Sequence, residues 1–290
     1  MSETVETAAP LRLKPGTVRR WDWSMKLAIA IVIGLGLAVV AAPILSPHAP
    51  DAVNLAERLR PPGLDHLLGT DHLGRDVLSR LIYGARVSLS AVAVISSLAL
   101  LLGLVIGGLS GFIGGKVDQV LMRICDVFLT FPTFVLAMFM VGVLGTGMVN
   151  VVIAIVLSHW AWYARIVRSL TLSMRSRDFI LAARVCGAGE IGLFVEHVLP
   201  GVFAQILVLT TLDIGHMMLH VSGLSFLGLG IAPPTAEWGV MINDAREFVW
   251  TQPLLIVWPG LAIFLTVMAF NRIGDALRDH LDPAIAAECC

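Results

Sequence analysis

Charge is scarce in this 290-residue chain. Only 14% of its residues are Asp, Glu, Lys or Arg, against about 25% in a soluble domain, which excludes an ordinary water-soluble enzyme. A basic excess is missing too: 20 basic and 21 acidic groups leave a formal charge of −1, so there is no positive field to hold nucleic acid. The four cysteines, Cys125, Cys186, Cys289 and Cys290, show neither disulfide-framework nor zinc-site spacing. The last two are adjacent at the terminus, where they cannot staple a core, and the pair reads as incidental. No phosphate-binding loop is present. Gly115-Lys116 is the only Gly-Lys pair, with Ser110 where the first loop glycine belongs and Val117 in place of the magnesium-binding hydroxyl. No cofactor is expected in this chain, and any ATP that drives it must bind elsewhere. The absence of an internal repeat removes support for an inverted-repeat secondary transporter.

Apolar residues fill the space left by charge: 57% of the chain is hydrophobic and its mean hydropathy is +0.85. A helix needs about 20 apolar residues to cross the hydrocarbon core. Six stretches qualify or nearly do, at 25–45, 88–112, 127–147, 149–164, 202–222 and 254–273. The expected fold is therefore an all-α integral membrane protein with six transmembrane helices. The first stretch follows Arg19 and Arg20, and its run from Leu27 to Leu45 exceeds the apolar core of a cleavable signal, so it should remain as an anchor. The fourth is short and ends in Trp160, Trp162 and Tyr163, like an interfacial aromatic belt followed by basic residues.

An even number of spans puts both termini on one side, and the Lys/Arg distribution selects the side. With the N-terminus inside, 14 of the 20 basic residues lie on the cytoplasmic face, including Arg12, Lys14, Arg19, Arg20 and Lys26 before the first span. Arg165, Arg168, Arg175, Arg177 and Arg184 follow the fourth. Opposing this, the outer loop 46–87 carries Arg58, Arg60, Arg75, Arg80 and Arg86. The balance favours both termini inside. This gives a cytoplasmic segment 1–24, a transmembrane domain 25–290, and a dominant cytoplasmic loop at 165–200 of mixed helical character, suited to presenting a helix to a partner.

Within the spans, Gly103, Gly107, Gly111 and Gly115 fall four apart, forming a ridge that lets another helix approach closely. Pro132 should kink the third span. The fifth span carries the costly polar groups. Asp213, His216, Met217 and His220 share one helical face at i, i+3, i+4 and i+7, and an ionisable residue inside a span is by default a functional hypothesis. Imidazole and thioether ligands suit nickel, copper or zinc, with the carboxylate as ligand or orienting partner. His159 in the fourth span is a further contributor. The bland alternative is that these histidines simply hydrogen-bond between helices. An intramembrane protease is excluded, because Met217 stands where the His-Glu-x-x-His motif needs its general base.

In the cytoplasmic loop, Leu181-Ala182-Ala183, Gly187 and Leu199-Pro200 fall at the intervals of the Glu-Ala-Ala…Gly…Leu-Pro pattern. The chain thereby resembles the permease subunits of ATP-binding-cassette importers, with Leu181 replacing the usual Glu and His197 at a usually apolar position. The motifs Leu68-Gly69-Thr70-Asp71-His72-Leu73-Gly74-Arg75-Asp76, Leu224-Ser225-Phe226-Leu227-Gly228-Leu229-Gly230, Pro234-Thr235-Ala236-Glu237-Trp238-Gly239 and Asp275-Ala276-Leu277-Arg278-Asp279 resemble the dipeptide, oligopeptide and nickel branch. Within it, the segments Ser158–Arg165 and Leu212–His220 are most similar to the second permease subunit of nickel importers.

The resemblance implies a type I importer architecture in the bacterial inner membrane. Its partners would be a homologous second permease subunit, two ATPase subunits that bind ATP and magnesium, a periplasmic solute-binding protein and membrane lipid, with no nucleic acid. Nickel, free or chelated, is the implied cargo; a dipeptide or oligopeptide is the alternative within the family, and a stand-alone metal channel the alternative outside it. The implied ATPase-coupling residues are Ala182, Ala183, Gly187, Ala188, Leu199 and Pro200, and Trp238 and Trp250 in the outer loop 223–253 are expected to dock the binding protein.

Overall fold

The apolar runs form long helices in the computed structural model, which describes residues 23–281, with side chains through Asp279. All but the last two residues of the expected cytoplasmic segment 1–24, and the Cys289-Cys290 pair, lie outside the described residues. In chain order the helices are α1 (Trp23–Leu45), α2 (Val77–Ile113), α3 (Gly115–Thr130), α4 (Thr133–Leu144), α5 (Met148–Arg175), α6 (Asp178–Val185), α7 (Glu190–Leu193), α8 (Leu199–Phe226), α9 (Trp238–Ala245) and α10 (Leu254–Leu281). A π-helical turn, Phe194–Val198, links α7 to α8. It stops beside Pro200, whose missing N–H cannot extend the regular ladder. The described residues contain no strand.

Five helices, counting Glu190–Phe226 as one, are long and apolar enough to cross a membrane, and the α3–α4 pair makes six if counted as one broken span. With that pair counted as one span the number agrees with the six expected, but several helix ends differ from the sequence expectation. α2 starts eleven residues earlier than position 88, because the Asp76 carboxylate accepts the Ser79 N–H and caps it. α5 does not stop at 164. It continues to Arg175, so the first part of the expected loop 165–200 is an extension of a membrane helix, about 17 Å long at 1.5 Å per residue. The third span is corrected most. Helices α3 and α4 meet at 87°, where a kink at Pro132 within one continuous span, 127–147, is the sequence expectation. Phe131, forced to an extended conformation (φ −95°, ψ 139°) before Pro132, ends one helix and starts another in a new direction. The residues just before the expected third span are helical as well, from Gly115 onward.

Helices α2 and α5 make the most extensive packing contact in the molecule, with α8 against both. The glycine ridge explains how. A Cβ at Gly107 would overlap the Ala164 carbonyl oxygen and lie 2.9 Å from Val167 Cβ. At Gly111 it would lie 2.8 Å from Thr171 Cβ and 2.9 Å from the Arg168 carbonyl oxygen, and at Gly103 3.0 Å from the Tyr163 carbonyl carbon. Gly115 lies outside this ridge: it begins α3, faces open space, and has φ +60°. Away from the centre, Val40, Ile44, Phe139 and Val143 are exposed. An apolar surface of this kind suits lipid or neighbouring membrane helices and not water.

The loop between α1 and α2 is tied down by charge. Arg75 and Arg80 are each 1% exposed. Arg75 Nε donates to Asp71 Oδ2 at 2.6 Å and its Nη2 to Asp244 Oδ2 of α9 at 3.0 Å. Arg80 Nη1 donates to the Pro234 carbonyl at 3.2 Å. Two of the five arginines that opposed the orientation assignment are thus neutralised inside the fold. His66 is bonded through Nδ1 to Asp76 Oδ1 at 2.8 Å. That bond raises the His66 imidazole above its ordinary pKa, burial opposing it. Burial likewise pushes the Asp76 carboxyl up, but hydrogen bonds from Ser79 and His66 outweigh it and hold the group below the usual carboxylate value.

Candidate functional site

Asp213 sits in α8, 5% exposed, where an ionised carboxylate needs partners. It finds them on α5: His159 Nε2 lies 2.9 Å from Asp213 Oδ2, and the Tyr163 hydroxyl donates to the same oxygen at 2.9 Å. His159 and Tyr163 are four residues apart, so one face of α5 supplies both. Sequence reading assigned Tyr163, with Trp160, to an interfacial belt. Both are instead buried, Tyr163 completely, and the helix runs three further turns past them. The i, i+4 spacing from His159 was the signal that could have placed Tyr163 in the site.

The other members of the α8 face diverge. His216 points outward, its side chain 74% exposed, with Nδ1 3.6 Å from Asp213 Oδ1. His220 is partly buried; its ring stacks on Phe134 at 5.9 Å between centroids and lies 6.2 Å from the His159 ring. The Nδ1 atoms of His159 and His220 are buried without a hydrogen-bond partner among the described residues. Met217 is fully buried in the apolar core, as is its neighbour Met218. The structure therefore brings Asp213 and His159 together, leaves His216 at an open surface and His220 one ring away, and encloses Met217. These groups form a polar line and not one coordination sphere: among the described residues, the His/Cys/Asp/Glu group close enough to hold an ion lies elsewhere.

On the α6–α7 side, α6 ends in a Schellman turn. The Gly187 N–H donates to the Arg184 carbonyl at 3.0 Å and the Ala188 N–H to the Ala183 carbonyl at 3.1 Å, with Gly187 at φ +91°. The glycine of the loop pattern is thus needed for its left-handed backbone. Arg184 clamps Glu190 of α7 through two bonds of 2.7 and 3.0 Å. Ala182, Gly187 and Ala188 are exposed, Ala183 is half-buried, and Leu199 and Pro200 open α8. Val185 and Ile191, at 88% and 81% exposure, flank this turn. Replacing Gly187 by Asn, which tolerates positive φ, should cost less than replacement by Val, by about 1 kcal/mol. Thermal unfolding of the two purified variants compares them directly.

The expected docking pair separates. Trp250 is 92% exposed, but Trp238 is 1% exposed. Trp238 Nε1 donates to the Leu81 carbonyl at 3.0 Å, and its ring fills the space where Gly84 lacks a Cβ. Trp238 therefore packs α9 onto α2 and presents no face to a docking protein. The neighbouring Glu237, 0% exposed, accepts from the Ser88 hydroxyl at 3.0 Å and caps α9 through the Val240 N–H at 2.9 Å. Sequence reading missed this acid as a structural residue. Trp238→Ala should destabilise the chain by about 3–5 kcal/mol. The melting temperature of the purified variant, set against that of the parent, would show it.

Comparison with known proteins places this geometry. Residues 81–287 match the family described as "Binding-protein-dependent transport system inner membrane component". The chain is 60% identical over 266 residues to the nickel transport system permease protein NikC of Escherichia coli strain K12, covering 92% of this chain and 96% of the relative. It is 39% identical over 249 residues to the metal-staphylopine import system permease protein CntC of Staphylococcus aureus, covering 86% of each chain. The glutathione transport system permease protein GsiD of Escherichia coli O6:K15:H31 is 44% identical over 224 residues, covering 77% of this chain and 74% of that one. A family match across most of the chain and a membrane-crossing helix bundle lead to one assignment: the chain belongs to the inner-membrane components of binding-protein-dependent transport systems.

Proposed function

We propose that this chain is the permease subunit that carries nickel across the bacterial inner membrane. The single observation that carries the reading is the 60% identity, over 92% of the chain, to a nickel permease. Asp213, His159, His216 and His220 line the path. His216, exposed beside a buried carboxylate, faces a homologous second permease subunit that completes the passage. Both termini lie inside, which puts α6, α7 and the extension of α5 in the cytoplasm. There Val185, Gly187 and Ile191 seat against one of two ATPase subunits, which bind the ATP and magnesium. A periplasmic binding protein delivers the ion at the opposite face, with Trp250 among its contacts.

Imidazole suits nickel, and a series of separated weak sites suits transit better than one tight site. The His216→Gln, His220→Gln double variant keeps polarity while weakening coordination. Nickel uptake into cells lacking other nickel importers should fall at least tenfold, with the chain still present in the membrane. Unchanged uptake of nickel supplied without chelator would remove the histidines from the path. A second reading, cargo moved as a chelate or peptide, draws on the metal-staphylopine and glutathione relatives. Uptake of radiolabelled glutathione exceeding that of nickel would favour it.

A further inference from the structure

The cluster with metal-site geometry lies far along the chain from the path residues, where the loop after α1 meets the start of α2. His48, His66 and Asp76 each offer one ligand atom, and the three atoms lie within 4.8 Å of one another. His66 Nδ1 is 2.8 Å and His48 Nδ1 3.9 Å from Asp76 Oδ1. Ligands about 2.1 Å from a metal sit about 3.0–3.5 Å apart, so shifts of less than about an ångström per atom bring these three, within 4.8 Å of one another, onto one ion.

We propose that His48, His66 and Asp76 form a binding site for a divalent late transition metal on the face of the permease that carries the 46–76 loop.

The groups around the ligands are arranged as metal sites require. The other nitrogen of His66, Nε2, lies 3.4 Å from Glu57 Oε2, the carboxylate–imidazole arrangement that orients a ligating ring and raises its basicity. The other oxygen of Asp76, Oδ2, is held by the Ser79 N–H at 2.8 Å and the Ser79 hydroxyl at 2.6 Å. That leaves Oδ1 aimed at the two rings. His48 has its backbone fixed, its N–H donating to Ser79 Oγ at 3.1 Å. Its ring makes no hydrogen bond among the described residues, lies 4.7 Å from the His66 ring, and is 44% exposed. Two buried ligands thus sit below one accessible ligand, which leaves coordination positions open to water and lets an ion enter and leave. Two imidazoles and one carboxylate favour nickel, zinc or copper over calcium or magnesium, which prefer oxygen.

In the orientation proposed above, the site faces the periplasm, where a delivered ion first meets the permease. That role in transport rests on the nickel reading, whereas metal binding at the site does not.

The test titrates nickel chloride into the full-length chain, purified with its co-purifying subunits and without binding protein, and reads stoichiometry by equilibrium dialysis and ligand type by X-ray absorption. His48→Gln should lower affinity at least tenfold and remove one histidine from the ion's coordination shell. His66→Gln should act in the same direction; if it fails to fold, His48→Gln decides, because the His48 ring holds nothing else in place. The His216→Gln, His220→Gln variant should keep this site. Unchanged affinity and an unchanged histidine count in His48→Gln would overturn the proposal. So would a bound ion lost only in the path variant. Normal nickel binding in a protein that transports no nickel would sink the transport reading and leave the site standing.

Discussion

Gly107→Val should prevent the chain from accumulating in folded form. A Cβ at this position would overlap the Ala164 carbonyl oxygen of α5, and backbone, unlike a flexible side chain, cannot swing away. Overpacking a core typically costs about 1–3 kcal/mol. Here three side-chain carbons enter a contact that admits none, so the helices must separate along the whole ridge from Gly103 to Gly111. The loss should exceed about 3 kcal/mol, a large part of the roughly 5–15 kcal/mol that holds a domain together. Fluorescence-detected size exclusion after detergent extraction should show loss of the monodisperse peak. Gly142→Ala in α4, where nothing in this chain lies within 4 Å of the new Cβ, should leave the peak in place. Equal losses in both would mean that the ridge is not what positions α5.

Asp213→Ala should be the most damaging change at the polar site. It removes the shared acceptor of His159 Nε2 and the Tyr163 hydroxyl, leaving two buried donors unsatisfied between α5 and α8. Leaving a buried donor without its acceptor costs about 1–3 kcal/mol for each donor, and losing one hydrogen bond within a membrane bundle about 0.6–2 kcal/mol. Tyr163→Phe should therefore fall at the lower figure, and Asp213→Ala near the higher. Asp213→Asn separates stability from transport: it keeps the size and one acceptor oxygen but loses the charge that attracts a cation. Its melting temperature should stay closer to the parent than that of Asp213→Ala, while nickel uptake falls at least tenfold. A folded Asp213→Asn protein with parental uptake would leave the carboxylate a purely architectural role.

Much of this architecture is written in local pattern. Length and apolarity marked the positions of all six spans, and four-residue spacing marked the packing ridge, because both are properties of a single helix. The 87° turn at Phe131-Pro132 was harder. Proline announces a break but not its angle, which depends on what each half packs against. The polar site was half legible for the same reason. Spacing along α8 identified Asp213, His216 and His220, but the partnership of Asp213 with Tyr163 is a contact across 50 residues, outside any one helix's periodicity. Trp238 misled because an aromatic residue near prolines reads equally as an exposed anchor or a buried plug. Only the missing Cβ of Gly84, far away in sequence, distinguishes the two. The metal-site geometry of His48, His66 and Asp76 was invisible because it joins three segments whose separations follow no motif.

Helix α5 runs unbroken from Met148 to Arg175, and the glycine ridge clamps α2 along it. The two therefore behave as a single stiff beam whose middle carries His159 and Tyr163 and whose end stands next to α6. From His159 to Arg175 the beam is about 24 Å long at 1.5 Å per residue. Pivoting it by about 10° about the level of His159 would sweep its far end roughly 4 Å. Turned about its far end instead, the same angle would shift His159 by roughly 4 Å and Tyr163 by roughly 3 Å against Asp213, more than a hydrogen bond can stretch. The carboxylate that α8 supplies thus acts as a latch on a lever: a tilt about the far end must open it, whereas a tilt about the level of His159 leaves it shut.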